Sequence, residues 1–199
     1  MEPITTEEKI IRAADKIFTQ KGYAATRTRE IAEEAGTNLA LLNYYFGSKQ
    51  NLFRNVVKQK LKMLLNAIDP IASDKTIPVV EKVRKISEKY TQLMLENEEL
   101  PLFILNEWSA NKNLFTDLIR ETRQHAEPVI RKQLSENGMD ITVEDLIVNT
   151  LGMILFPFIA KPLILSSGLV EENQFAAFVT ERKEKIPEWI ISIINKQIQ

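Results

Sequence analysis

Cysteine is absent from this chain. That excludes disulfides, thiolate zinc sites and thiol redox sensing. Histidine occurs once, at His125. A metal centre needs several convergent ligands, so neither a metal nor a cofactor is expected. Glycine is scarce, six in 199 residues, and the six form no phosphate-cradling loop. There is no HExxH pair and no nucleophile elbow, and Ser109, Ser166 and Ser167 lack a triad context. An enzyme is not expected. Long apolar runs are missing too. The most apolar stretch, Val143 to about Leu165, is interrupted by Asn149, Thr150, Pro157, Lys161 and Pro162. A membrane span needs about 20 predominantly apolar residues, so none is expected. The opening Met-Glu-Pro-Ile-Thr-Thr-Glu-Glu has no basic or apolar region of the kind a signal peptide requires. The lack of cysteine is compatible with the cytosol, and a cytoplasmic location is the expectation.

The composition that remains, 44% hydrophobic and 27% charged, is that of a globular chain with a core. The net charge of -1 is unevenly spread. Residues 1–66 hold 11 Lys and Arg against 7 Asp and Glu, while the remainder holds 15 against 20. A mildly basic head on an acidic body suits presentation of one end to phosphate, although a segment of that charge is also an ordinary solvated surface.

The pattern throughout is helical, with no strand-like alternation of useful length. Thr5 and Glu8 fit a capping box, and Ile10, Ala14, Ile17 and Phe18 form the stripe of a helix over 6–21. Thr28 reads as the cap of a short helix over 28–35, with Ile31, Ala32 and Ala35 on its apolar face. Gly36 and Thr37 turn the chain, and Asn38 caps a third helix over 38–46 that Gly47 stops. Ser48 caps a fourth, in whose first turn Lys49 sits. Two short helices joined by a turn at glycine describe a helix-turn-helix. At about 100° per residue, Leu39, Leu42 and Phe46 share one side of the third helix, with Asn43 at the flank. Ala40, Leu41, Tyr44 and Tyr45 share the other. That outer face carries no charge. It can be further core, a protein contact, or a DNA-reading surface, where tyrosine hydroxyls meet phosphates and small apolar groups pack on thymine methyls.

The ordered set Ile11–Phe18 with Lys21-Gly22-Tyr23, Thr26–Ala35 with Gly36, and Tyr44-Tyr45-Phe46 with Lys49 and Leu52-Phe53 resembles the TetR (tetracycline-repressor) family of bacterial transcriptional regulators. The resemblance covers roughly residues 6–66, about a third of the chain. Two positions depart from the commonest pattern: Tyr45 stands where a histidine is usual and Asn43 where an aromatic is usual. The resemblance implies that Thr28, Asn38, Tyr44, Tyr45 and Lys49 touch phosphates. It also implies that Arg29, Leu39, Ala40 and Leu41 lie where bases are read, although the helical wheel turns Leu39 inward.

Beyond the head, helix four is expected to run to about Ile68 on Leu52, Phe53, Val56, Val57, Leu61, Leu64 and Leu65, with Lys58, Lys60 and Lys62 on a solvated face. Asp69–Pro78 reads as a linker. Helices follow over Val79–Asn97, after Pro101, over Leu114–Asn137 with a kink at Pro128, from Val143, over Gln174–Lys185 and from Pro187. The stretch from Val143 is apolar all round, which suggests core on one face and a second subunit on another. The expected fold is all α, about nine or ten helices. Residues 1–48 would be the DNA-binding domain and 49–199 a ligand-binding and dimerisation domain. The resemblance implies a homodimer on a palindromic operator in double-stranded DNA, most simply a repressor released by a small apolar or aromatic effector. Trp108, His125 and Phe156 are the candidate pocket residues, with core packing as their other reading. An effector-independent architectural or cell-division factor is the alternative.

Overall fold

A computed structural model describes the backbone of residues 4–110 and 112–195, and the side chains of 4–106 and 116–194. Among these residues the chain is all α. The helices are α1 (Thr6–Ala25), α2 (Thr28–Glu34), α3 (Leu39–Phe46), α4 (Lys49–Ala72), α5 (Val79–Glu96), α6 (Leu100–Ala110), α7 (Lys112–Glu136), α8 (Val143–Ile159), α9 (Lys161–Ser166) and α10 (Phe175–Asn195), with a 3-10 turn at Glu172–Gln174. No helix among the described residues is long and apolar enough to cross a membrane.

Two compact units meet in sequence between Leu61 and Lys62, inside α4. The expected division after residue 48 would cut the first unit's core, because Leu52, Phe53, Val56, Val57 and Leu61 are all buried in it. The head begins at a reciprocal cap. The Glu8 amide donates to Thr5 Oγ1 at 3.2 Å and the Thr5 amide donates to Glu8 Oε2 at 2.9 Å. The bond from the Thr5 amide holds the Glu8 carboxyl below the usual range. α1 then buries Ile10, Ala14, Ile17 and Phe18, and its helical geometry breaks at Gly22. Phe18 meets Phe53 edge to face at 4.8 Å. Lys60 is not on a solvated face: it is mostly buried and ion-paired with Asp15 at 2.6 Å.

In the second unit α10 packs on α5 and α8, α5 also meets α7 and α8, and α6 meets α7 and α8. Tyr90 and Met94 of α5, Ile130 and Leu134 of α7, Ile154 and Phe158 of α8, and Ile186, Ile190 and Ile194 of α10 form one core. Several prolines lie inside helices. Pro187 was expected to separate two helices, yet α10 is continuous through it. A proline in a helix interior costs about 3 kcal/mol. Burying Ile186, Ile190 and Ile194 along one stripe is worth roughly 1.5–3 kcal/mol each, which exceeds that cost. α7 likewise runs through Pro128.

Pro70 stands inside α4, which extends to Ala72 instead of yielding to a linker near Ile68. The reason lies on α5. Lys82, only 2% exposed, turns its ammonium onto the end of α4. Nζ donates to the carbonyls of Ile71 and Ala72 at 2.9 Å each, and also to that of Asp74. A cation at a helix C-terminus satisfies orphan carbonyls and opposes the negative end of the dipole. Burial pushes the Lys82 pKa below its ordinary value, with Asp74 opposing.

α8 is not buried all round. Leu146, Ile154 and Phe158 face the core, whereas Val148 is 68% and Phe156 61% exposed.

Candidate nucleic-acid interface

The candidate interface is built from α2, α3 and the first turn of α4. Arg27, not Thr28, precedes the first turn of α2. The Arg27 amide donates to Glu30 Oε2 at 3.3 Å, and Thr28 is the first helical residue, half-buried. The expected cap fails because Glu30 reaches back to Arg27. That bond, with the Lys21 ammonium 3.2 Å away, holds the Glu30 carboxyl below the usual range. Glu34 pairs with Lys16 at 2.5 Å. Two of the α2 acids are thereby balanced by lysines of α1, and Arg29 stays exposed.

The turn into α3 is a Schellman motif. The Thr37 amide donates to Ala32 O at 2.9 Å and the Gly36 amide donates to Glu33 O at 3.1 Å. Gly36 has φ 63°, where a Cβ would be strained. Asn38 Oδ1 then accepts from the Leu41 amide at 2.9 Å, as its cap role requires. α3 is anchored by Leu42 and Phe46, both buried. At its end the Gly47 amide donates to Asn43 O at 2.8 Å, with φ 69°. Ser48 Oγ accepts from the Asn51 amide at 3.1 Å and starts α4.

Ala40, Leu41, Tyr44 and Tyr45 all lie exposed on the outer side of α3, and Tyr44 is 81% exposed. Leu39 is half-buried, the inward turn that the wheel indicates; Asn43 is exposed. The Tyr44 and Tyr45 rings meet edge to face at 5.3 Å. Lys49 Nζ lies over the ring of Tyr23 at 4.4 Å, and that ring rests on Phe53 at 4.8 Å. Tyr23 is thus a positioning residue for Lys49. The signal for it in the sequence was faint, because a cation–π contact joins residues 26 positions apart. Residues 38–49 contain no acidic side chain. An uncharged, partly aromatic helix face beside a helix N-terminus bearing a lysine can fill a major groove and hold flanking phosphates.

The body holds a cavity of about 170 Å³ between α4, α5, α7 and α8. Its described walls are mainly Ile, Leu and Val, with no aromatic residue among the described ones, and Lys82, Thr122, Arg123, Glu127 and Thr150 are the described polar residues along it. The three residues proposed from sequence lie elsewhere or beyond description. Phe156 is on the outer face of α8, because the 3.6-residue period turns Ile154 and Phe158 inward and Phe156 out. The His125 side chain is 63% exposed, with Nδ1 4.0 Å from Asp69 Oδ2. It lines a separate polar cleft with Lys62, Asn66 and Glu121. The Trp108 side chain lies outside the described residues. Among the described residues no group of three His, Asp or Glu is arranged to hold a metal.

The family model described as bacterial regulatory proteins, tetR family, matches residues 10–56. The probable HTH-type transcriptional regulator YttP of Bacillus subtilis (strain 168) is 24% identical over 96% of this chain and 95% of its own. The biofilm operon icaADBC HTH-type negative transcriptional regulator IcaR of Staphylococcus aureus (strain Newman) is 27% identical over 70% of this chain and 75% of its own. Among solved structures, the fatty acid degradation regulator FadR from Bacillus halodurans shares the fold with a TM-score of 0.64, covering 94% of this chain and 97% of that one at 13% identity. The TetR family transcriptional regulator PfmR from Thermus thermophilus does so at 0.62, covering 90% and 97% at 21% identity. Residues 10–56 thus match the tetR family of bacterial regulatory proteins, and the chain as a whole shares its fold with solved regulators described as TetR family.

Proposed function

We propose that this chain is a homodimeric, sequence-specific DNA-binding repressor of the cytoplasm, released from a palindromic operator by a small molecule held in the body. It acts by binding and not by catalysis. The observation that carries the reading is the outer face of α3: Tyr44, Tyr45 and Leu41 stand exposed around a helix whose other side is anchored by Leu42 and Phe46. In this reading Thr28, Asn38, Tyr44, Tyr45 and Lys49 hold phosphates, while Arg29, Ala40 and Leu41 meet base edges. Leu39, half-buried, contributes least. Repression is favoured by IcaR, a negative regulator by name.

Two-fold binding requires two heads about 34–36 Å apart, the spacing of successive major grooves on one side of a duplex. The exposed Val148 and Phe156 of α8 and Trp189 and Ile193 of α10 supply an apolar surface for a second copy. A ligand releases DNA only by favouring a conformer with a different head arrangement, through its differential affinity. α4 belongs to both units and is the covalent route for that change.

Selection of bound sequences from a random DNA pool tests the reading. A palindrome with half-sites one helical turn apart is the expected result. No enrichment by folded, dimeric protein would overturn it. On the selected operator, Lys49→Ala should weaken binding to all sequences alike. The slope of log K against log salt should fall by roughly 1 for each Lys49 on the DNA. An unchanged slope would remove Lys49 from the phosphate contacts.

A further inference from the structure

The cations of the head divide into two sets. Lys16 is paired with Glu34, Lys21 with Glu30 and Lys60 with Asp15. Lys9 and Arg12 of α1 are exposed and have no ion pair among the described residues. Arg12 acts through space on the Glu8 carboxyl, but that carboxyl already accepts from the Thr5 amide at 2.9 Å and the Thr5 hydroxyl at 3.1 Å. Positions 9, 12 and 16 are three and four residues apart, so their side chains share one side of α1. They bound an open groove of about 280 Å³ whose other wall is Glu34 and Ala35, at the end of α2. Lys16 neutralises Glu34, which leaves the groove with the unbalanced charge of Lys9 and Arg12.

The groove lies at the entry to α3. Ala35 is followed at once by the Gly36–Thr37 turn and the Asn38 cap, whereas Lys49 stands at the exit. α3 has eight residues, a length of about 12 Å at 1.5 Å per residue. The major groove of B-DNA is about 12 Å wide and has a phosphate backbone along each wall. A helix of this length set across it meets phosphates at both ends, and Lys49 serves only one. We infer that Lys9 and Arg12 form a second phosphate-binding edge of the DNA interface, holding the backbone at the entry to α3. The inference rests on the reading of the head as a DNA-binding unit. Continuity with that surface selects DNA backbone as the partner. No acidic residue occurs between Glu34 and Asp69, so no carboxylate along the turn, α3 or the head's part of α4 repels phosphate. An arginine takes a phosphate through two N–H groups and a lysine supplies a point charge. Contacts of this kind add affinity without choosing sequence.

The test is the salt dependence of DNA binding by the full chain, on the selected operator and on a random-sequence duplex. Each lost phosphate contact lowers the slope of log K against log salt by about 0.9. The double variant Lys9→Gln with Arg12→Gln loses four contacts per dimer. Between 50 and 200 mM salt, the affinity of the native chain should therefore fall roughly a hundredfold more than that of the variant. The change should be the same on both duplexes, and the melting temperature should not move. Lys9→Arg with Arg12→Lys should keep the native slope. So should Lys132→Gln, which removes an exposed cation from the body. Ethylation of operator phosphates supplies positions: some should block the native chain and leave the double variant indifferent. An unchanged slope in the double variant would overturn the inference, as would an equal change in Lys132→Gln or an unaltered ethylation pattern. If Lys49→Ala lowers the slope and the double variant does not, the DNA-binding reading stands and this inference fails. If the slope changes on random duplex while no palindrome is selected, this inference stands and the sequence-specific repressor fails.

Discussion

Replacing Tyr44 with alanine is expected to abolish operator binding at physiological salt and leave the fold intact. Tyr44 is among the most exposed large side chains described, and its ring meets that of Tyr45 on the same helix. Alanine is also the better helix former, so the folded state gains locally what it loses in ring contact. Surface substitutions of this kind stay within about 0.5 kcal/mol. The loss on DNA is larger. A hydrogen bond to a charged group is worth about 1.5–3 kcal/mol, and a dimer loses two. The combined effect is roughly 10²–10⁴-fold in affinity. Anisotropy with labelled operator reads the first quantity and thermal melting the second. Tyr44→Phe separates ring from hydroxyl. A melting temperature lowered by several degrees with affinity retained would show that Tyr44 supports the fold and not the contact.

If the chain forms the proposed dimer through α8, Phe156→Glu should convert it into a monomer and remove operator binding with it. Val148, Gly152 and Phe156 recur every four residues along one exposed side of α8. The glycine between the two larger residues leaves room for a second backbone to approach. On α10, which packs against α8, Trp189 and Ile193 are exposed as well. Arg182 of the same helix sits against the rings of Phe178 and Trp189, at 5.6 and 5.1 Å, and donates to Met153 O of α8. The two apolar faces are thereby tied to one another. A glutamate on such a face would bury an unpaired charge in each copy, at a cost of several kcal/mol apiece. The isolated chain should be unharmed, since Phe156 faces out of its core. Sedimentation equilibrium distinguishes the outcomes. A Phe156→Glu variant that remains dimeric at micromolar concentration would place the interface elsewhere.

The head was legible because the forces that shape it are short-ranged in sequence. The caps at Thr5, Asn38 and Ser48 and the stop at Gly47 each act over three or four residues, and each is observed. Even the error there was local: Glu30 reaches back three residues to Arg27, which moves Thr28 from the cap to the first turn. Periodicity likewise separated Leu42 and Phe46 from Tyr44 and Tyr45, because a helix anchored on one side must expose the other.

The body is shaped by contacts distant in sequence. Pro70 and Pro187 read as breaks, and their helices continue because partners distant in sequence outweigh one missing amide: Lys82 at the end of α4, and the isoleucine stripe of α10. A lysine in a stripe of apolar residues carries no local mark of burial, since its acceptors lie eight to eleven residues away, at and beyond the end of another helix. Composition points to an aromatic pocket through Trp108 and Phe156, whereas Phe156 faces outward and the described walls of the cavity are aliphatic. The amino-acid sequence by itself determined the helices of the head, their caps and the face that α3 exposes, since these follow from interactions within a turn or two. Only the tertiary structure decided where α4 ends, which side of α8 faces out and which side chains bound the cavity. A void is the space four packed helices leave unfilled, and no one helix encodes it.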